Sequence, residues 1–289
     1  MADESGKKVT FFSRNAITCP ICDSDFYKEE LFSGGGRLMA GELAHDLRRI
    51  YEPSKKFGEL FPLIYFMLVC PHCLFSSFPA DFLAPEVAKF KPNLEADSMK
   101  RRETVNMIFN DLNFTEPRRL TEGAASYFLA IMCYDHFDKK MSPTVKQGVS
   151  ALRAAWIFND LHRKAPGENW DYLAKQFYRK ASFFYSQALE KEQNGTELLS
   201  GLKNLGPDLD KNYGYEGLLY LTGYLEYQYG SKKDIKARVE KLEKLKRVVS
   251  KMHGIGKASK DKPSAIINKA RDLYEKIGDE ITELSKELV

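Results

Sequence analysis

Four of the five cysteines fall in two copies of one motif, Cys19-Pro-Ile-Cys22 and Cys70-Pro-His-Cys73. Two residues between paired thiols let both sulfurs reach one ion from a tight turn, and four thiolates complete a zinc tetrahedron. The spacing alone leaves open a dithiol redox centre or an iron–sulfur cluster. A redox centre needs one pair at a helix start after a strand, where a second identical pair is superfluous. A catalytic zinc keeps one position open for water, and the deaminase type needs His-x-Glu ahead of Pro-Cys-x-x-Cys. No His-x-Glu occurs here, and the prolines lie inside the pairs. The expectation is therefore a closed, structural zinc on Cys19, Cys22, Cys70 and Cys73. His45 and His72 are the other conceivable ligands. His72 is expected to face solvent and His45 to sit on a helical turn. Cys133, in the apolar run Tyr127–Cys133, reads as a buried small hydrophobe.

The elements that must position these thiols are short and rich in turns. Residues 1–10 read as a disordered tail and 11–84 as a four-cysteine zinc-ribbon-like domain. Ser33-Gly-Gly-Gly36 marks a turn. Leu63–Val69 is apolar without alternation, the pattern of a strand buried on both faces. Residues 85–230 are helical in pattern, with helices expected over 94–109, 120–136, 144–162, 169–192 and 214–229. Pro143 suits a first helical turn, and Gly206-Pro207 breaks the pattern. Ala174-x3-Tyr178-x2-Ala181 repeats as Ala181-x3-Tyr185-x2-Ala188, and Gly223 and Gly230 lie seven apart. These are small–aromatic–small spacings of a tetratricopeptide repeat, although its period is not kept. In 231–289, Ile235, Val239, Leu242, Leu245, Val249 and Met252, then Ile266, Ala270, Leu273, Ile277, Ile281, Leu284 and Leu288, form two narrow apolar seams. They predict a helical hairpin closed by His253–Lys262. The fold class is thus mainly α, with a small N-terminal β element, a tetratricopeptide-like array and a C-terminal hairpin.

Several of these residues together resemble a known bacterial family. The Cys19 and Cys70 motifs, the turn Phe32-Ser-Gly-Gly-Gly-Arg37, Tyr65-x3-Val69 leading into Cys70, Phe75, Asp81-Phe82 and Ala154-Ala-Trp156 look like domain of unknown function 2225. The likeness covers roughly 11–190. It implies a cytoplasmic bacterial protein with a zinc-ribbon-like start and a tetratricopeptide-like body. It implies no reaction, and the long basic tail departs from it.

The remaining signals bear on function class. There is no G-x4-G-K-[ST] loop, no G-x-S-x-G elbow and no H-E-x-x-H. Asp135-His136 reads as a surface pair or a cap. The chain is therefore read as a non-enzymatic interaction or assembly module. Trp156, Trp170, Phe177 and Tyr224 are candidate partner contacts. The rival reading is a nucleic-acid-associated protein. Residues 231–262 hold twelve Lys or Arg against four Asp or Glu, although the whole chain is only +4. His253-Gly-Ile-Gly-Lys257 also resembles a helix–hairpin–helix turn, but Pro263 delays the next helix. The longest apolar stretch is too short to span a bilayer, which needs roughly 20 residues. The N-terminus is polar, so the cytoplasm is the expected compartment. The seam of the last hairpin makes a homo-oligomer an expectation too.

Overall fold

The N-terminal segment builds four two-stranded antiparallel ladders, each too small to stand alone. A computed structural model describes residues 8–199, 202, 204–253 and 264–288. Strand β1 (Thr10–Phe12) pairs with β4 (Glu29–Leu31), and between them β2 (Ile17–Thr18) pairs with β3 (Asp25–Phe26). Thr10, placed in the expected tail, is thus the first residue of a strand, while residues 1–7 lie outside the described residues. Gly34, Gly35 and Gly36 all have positive φ and turn the chain into β5 (Met39–Leu43). Three successive left-handed residues are affordable only for glycine. β5 pairs with β6 (Arg49–Glu52) across a bulge. β7 (Leu68–Val69) pairs with β8 (Ser76–Ser77).

The apolar run 63–69 differs from expectation. It opens as a 3₁₀ turn, Pro62–Tyr65, and only Leu68–Val69 is strand. The buried Arg118 explains the turn, because its Nη1 donates to the Ile64 and Met67 carbonyls at 3.0 and 2.9 Å. The run is apolar on all sides because a turn, not a strand, is enclosed.

Helices α1 (Pro79–Phe82), α2 (Lys91–Ala96) and α3 (Ser98–Asn106) follow. The helix expected over 94–109 is broken at Asp97, which leaves helical geometry at ψ 5°. The body is α4 (Leu120–Tyr134), α5 (Pro143–Lys164), α6 (Trp170–Gln193), α7 (Gly214–Tyr229), α8 (Ile235–His253) and α9 (Ser264–Lys286). Glu122 closes a capping box at α4. Pro143 opens α5, where the Glu197 carboxylate accepts from the Thr144 amide and hydroxyl, both at 2.7 Å. From α4 to α9 each helix packs on the next. Ala174, Tyr178, Ala181, Tyr185 and Ala188 are all buried. A Cβ on Gly223 would lie 2.7 Å from Val249 Cγ2, so α7 and α8 approach closely there.

The two expected helices of the last segment are present and pack on one another. Leu242, Leu245, Val249, Met252, Ile266, Ala270, Leu273 and Ile277 are buried within this chain, because α8 and α9 both close on α7. That part of the seam is covered within the chain, whereas Ile235, Val239, Ile281 and Leu284 are half-buried and Leu288 is exposed. Arg238 bonds Glu280 at 2.9 Å, and Lys246 sits 4.8 Å over the Tyr274 ring, which fixes an antiparallel register. Residues 254–263, with most of the His253-Gly-Ile-Gly-Lys257 turn, lie outside the described residues. Among the described residues no helix is long and apolar enough to cross a membrane.

One hydrophobic core runs from Cys19 through the helices to Ile277. The turn between β5 and β6 fastens into it through Asp46. Asp46 Oδ2 accepts from Trp156 Nε1 at 2.6 Å and from the Tyr178 hydroxyl at 3.0 Å. His45, expected on a helical turn, lies in this hairpin turn instead. Removing the acceptor strands two buried donors, so Asp46→Ala is expected to lower stability by about 2–4 kcal/mol. A shift of the urea midpoint, followed by tryptophan fluorescence, checks this, and an unshifted midpoint contradicts it.

Candidate metal centre

The two cysteine pairs sit in turns of the same build. In the first, the Cys19 amide donates to the Ser24 carbonyl at 3.0 Å and the Asp23 amide to the Cys19 carbonyl at 3.0 Å. In the second, Cys70 donates to Phe75 at 2.9 Å and Leu74 to Cys70 at 2.9 Å. Each turn has proline after its first cysteine, where φ is already set. The residue after the second cysteine, Asp23 or Leu74, is left-handed with φ 57°. Asp tolerates that region, whereas a branched apolar residue loses about 1–2 kcal/mol there. Leu74 offsets this by burying its side chain. Ladder β2–β3 carries the first turn and β7–β8 the second.

These hairpins bring the four sulfurs together. All four Sγ lie within 4.8 Å of one another. Two close approaches cross between the turns, Cys19 to Cys73 at 3.7 Å and Cys22 to Cys70 at 3.5 Å. A tetrahedral ion with metal–sulfur bonds of about 2.3 Å spaces its sulfurs about 3.8 Å apart. The donor set therefore fits and could hold a metal ion. Cys19, Cys70 and Cys73 are buried and Cys22 is half-buried. The Ile21 amide donates to Cys19 Sγ at 3.4 Å, the kind of bond that favours a thiolate. As a proton-sharing cluster the site is lopsided. Hydrogen bonds with Cys19 and Cys73 hold the Cys70 thiol far below its ordinary range. Cys19 is pushed up, first by Cys70, and Cys73 is pushed up, first by Cys19. A divalent cation removes that competition by accepting all four sulfurs as thiolates.

Helix α3 backs the second turn. The Arg101 guanidinium is buried and donates from Nη2 to the Cys73 carbonyl at 2.9 Å, and Arg102 Nη2 reaches the His72 carbonyl at 2.7 Å. Sequence reasoning missed both arginines, since nothing in Lys100-Arg-Arg-Glu103 marks a cation as buried. The rings of Phe26, Phe82 and Phe75 pack beside the turns. His72 is exposed, as expected, and neither His72 nor His45 joins the sulfur cluster. Cys133 is buried, and burial raises its thiol to about 11. His136 pairs with Asp97 at 2.9 Å, while Asp135 accepts from Gln147.

The four candidate contacts separate into two kinds. Trp156 and Phe177 lie in the core, whereas Trp170 and Tyr224 are half-buried. His45 and Tyr224 stack beside a small cleft lined also by Tyr220, Tyr227 and Lys276. A second cleft between β6, residues 59–63 and α5 is lined by charges that pair with acids: Arg48 with Asp160, Arg163 with Glu59, Arg49 with Asp210.

A family described as an uncharacterized protein conserved in bacteria (DUF2225) matches residues 12–277. An uncharacterized protein of Borreliella burgdorferi is 44% identical over 279 residues, spanning 96% of this chain and 99% of that protein. No solved structure matches the chain at a significant level. The match runs far beyond residue 190, so the basic tail does not depart from the family pattern.

Arg101→Ala leaves every sulfur in place but strands the Cys73 carbonyl. It is expected to weaken metal retention and to cost about 1–3 kcal/mol of stability. Metal transfer to a chromophoric chelator should be faster than in the parent protein, and equal transfer rates would remove Arg101 from the site.

Proposed function

The chain belongs to the bacterial domain of unknown function 2225 family, and on that footing we propose that it is a non-enzymatic interaction or assembly module clamped by a structural zinc ion. The observation that carries the reading is the closed thiol cage. Four sulfurs within 4.8 Å of one another satisfy a tetrahedral ion completely and leave no position for water or substrate. Thiolates select zinc or iron–sulfur centres. A multi-iron cluster spreads its cysteines over several metal atoms, so a cage this tight favours a single ion. Two turns of the same build, each on a short hairpin, support the zinc-ribbon reading. The ligands must be reduced to bind, which suits the cytoplasm.

The interaction role rests on the helices. The buried small–aromatic–small series of α6 and the close approach at Gly223 support a tetratricopeptide-like array. Such arrays hold extended surfaces toward a protein partner. Trp170 and Tyr224, which keep part of their surface in solvent, are the contacts this reading retains.

The second reading, nucleic acid on the basic 231–262 segment, draws on exposed Lys236, Lys244 and Arg247. It is weakened because Arg238 is buried against Glu226 and Glu280, and Lys241 pairs with Glu226.

Two measurements test the proposal. Elemental analysis should find one zinc per chain in the parent protein and none in Cys22→Ser, which should also lose near-UV circular dichroism from the N-terminal segment. A metal-free protein that stays fully folded would sink the clamp. Affinity purification with and without nuclease should return a stoichiometric protein that survives nuclease. Loss of all bound material on nuclease treatment favours the second reading.

A further inference from the structure

Helix α6 turns one long stripe to solvent. Tyr172, Gln176, Arg179, Phe183 and Ser186 recur at steps of four and three, which places them on one face. Both aromatic residues are 60% exposed. Lys175 and Lys180 are exposed along the edges of the stripe. Between Asp171 and Glu190 the helix carries no carboxylate. Among the described residues, Lys175, Arg179 and Lys180 have no ion-pair or hydrogen-bond partner, whereas exposed Arg163 and Arg119 are both paired with acids.

A second observation extends this surface. Ser182, the neighbour of Phe183, donates from its hydroxyl to Glu226 Oε2 at 3.1 Å. Lys241 of α8 meets the same oxygen at 2.9 Å. This relay links α6 to α8 through Glu226 of α7. Helix α8 carries seven cations against two carboxylates, and Lys236, Lys244 and Arg247 are exposed on it. Both helices thus carry exposed cations and are linked through Glu226, and two aromatic rings stand out of α6.

We propose that the α6–α8 face binds single-stranded nucleic acid, with the cations tracking phosphates and Tyr172 and Phe183 offering platforms to bases. Eleven residues of helix separate the two rings by about 16 Å, room for a few extended nucleotides. Base stacking on an exposed aromatic side chain is indifferent to sequence, as is a row of phosphate contacts. The composition favours this ligand over an acidic protein, because protein interfaces are depleted in lysine while strand-binding grooves are built from it. The inference stands on α6 and does not require the protein-partner reading above.

The test uses the full-length, zinc-loaded protein and a fluorescein-labelled oligouridine of about 20 nucleotides, long enough to span such a face. Binding is read by anisotropy across a salt series. Tyr172→Ala and Phe183→Ala should each weaken binding about tenfold. Lys175→Gln and Arg179→Gln should each lower the slope of log affinity against log salt by about 0.7. Unchanged thermal melting and zinc content confirm that each variant is folded. No binding by the parent protein at low salt overturns the proposal. So does wild-type affinity in both aromatic variants, with polyglutamate competing on equal charge, which would assign the face to an acidic protein. Loss seen only in Lys244→Gln and Arg247→Gln would place binding on α8 alone and overturn the role of α6.

Discussion

Four thiols that lie within 4.8 Å of one another, three of them buried, cannot all ionise unless a cation neutralises them. That constraint organises the first third of the chain. Its ladders are two to five residues long and would not persist in isolation. A bound ion would supply what a small core cannot, since structural zinc contributes roughly 10–16 kcal/mol of binding free energy to folding. Such an ion would not hold a separate bead, however. Ile21, Phe75 and Phe82 belong to the same continuous core as the helices. The cysteine-bearing hairpins share that core with the helical body.

Buried guanidinium groups form the second organising device. Arg101 donates to the Cys73 carbonyl, Arg118 to Ile64 and Met67, Arg153 to Pro207, and Arg238 to Glu226 and Tyr227. Most of these carbonyls belong to turns, and those of Glu226 and Tyr227 lie in the last turn of α7. The turns offer no ladder and the Tyr227 carbonyl no further helical turn, whereas the Glu226 carbonyl accepts from the Gly230 amide at 2.9 Å as well as from Arg238. Arginine suits the task because its five donors are fixed in a plane and it keeps its charge. Burial lowers Arg118 to about 10, still above neutral pH, with Glu29 opposing the shift. The rings of Phe66, Phe78 and Tyr127 surround Arg153 and supply some of the lost solvation.

The sequence makes the thiol cage and the long helices legible because both rest on local pattern. Cys-Pro-x-Cys specifies its own turn, and 3.6-residue periodicity places α4 to α9 to within a few residues. What it hides is long-range. Nothing near Arg101, Arg118 or Asp46 announces burial, because their partners lie 28 to 132 residues away. The run 63–69 looks like a strand because apolarity records enclosure, not backbone shape. The last hairpin shows the same limit. Its seam is plain in sequence, but a seam does not say whether its partner is a second chain or α7 of the same chain.

An ion held by the four sulfurs and the Asp46 contact would act on one loop from opposite sides. Residues 23–69 run between the two cysteine pairs, so an ion bridging Cys22 and Cys70 closes them into a ring. By chain entropy alone, closing roughly 50 residues is worth about 4 kcal/mol. The middle of that ring is the β5–β6 hairpin. Its turn is held by Trp156 and Tyr178 through Asp46, by Tyr220 through the His45 carbonyl, and its second strand by Asp208 through the Arg49 amide. A ring pinned at its centre to α5, α6 and α7 loses little further freedom when the ion closes it, so each fastening lowers the entropy cost of the other. The coupling is reciprocal. Contacts that seat the hairpin on the helices would strengthen a metal site at the four sulfurs, and metal binding would in turn steady the helices. This explains how a cage at one end of the chain can matter to surfaces carried by helices far along it in sequence.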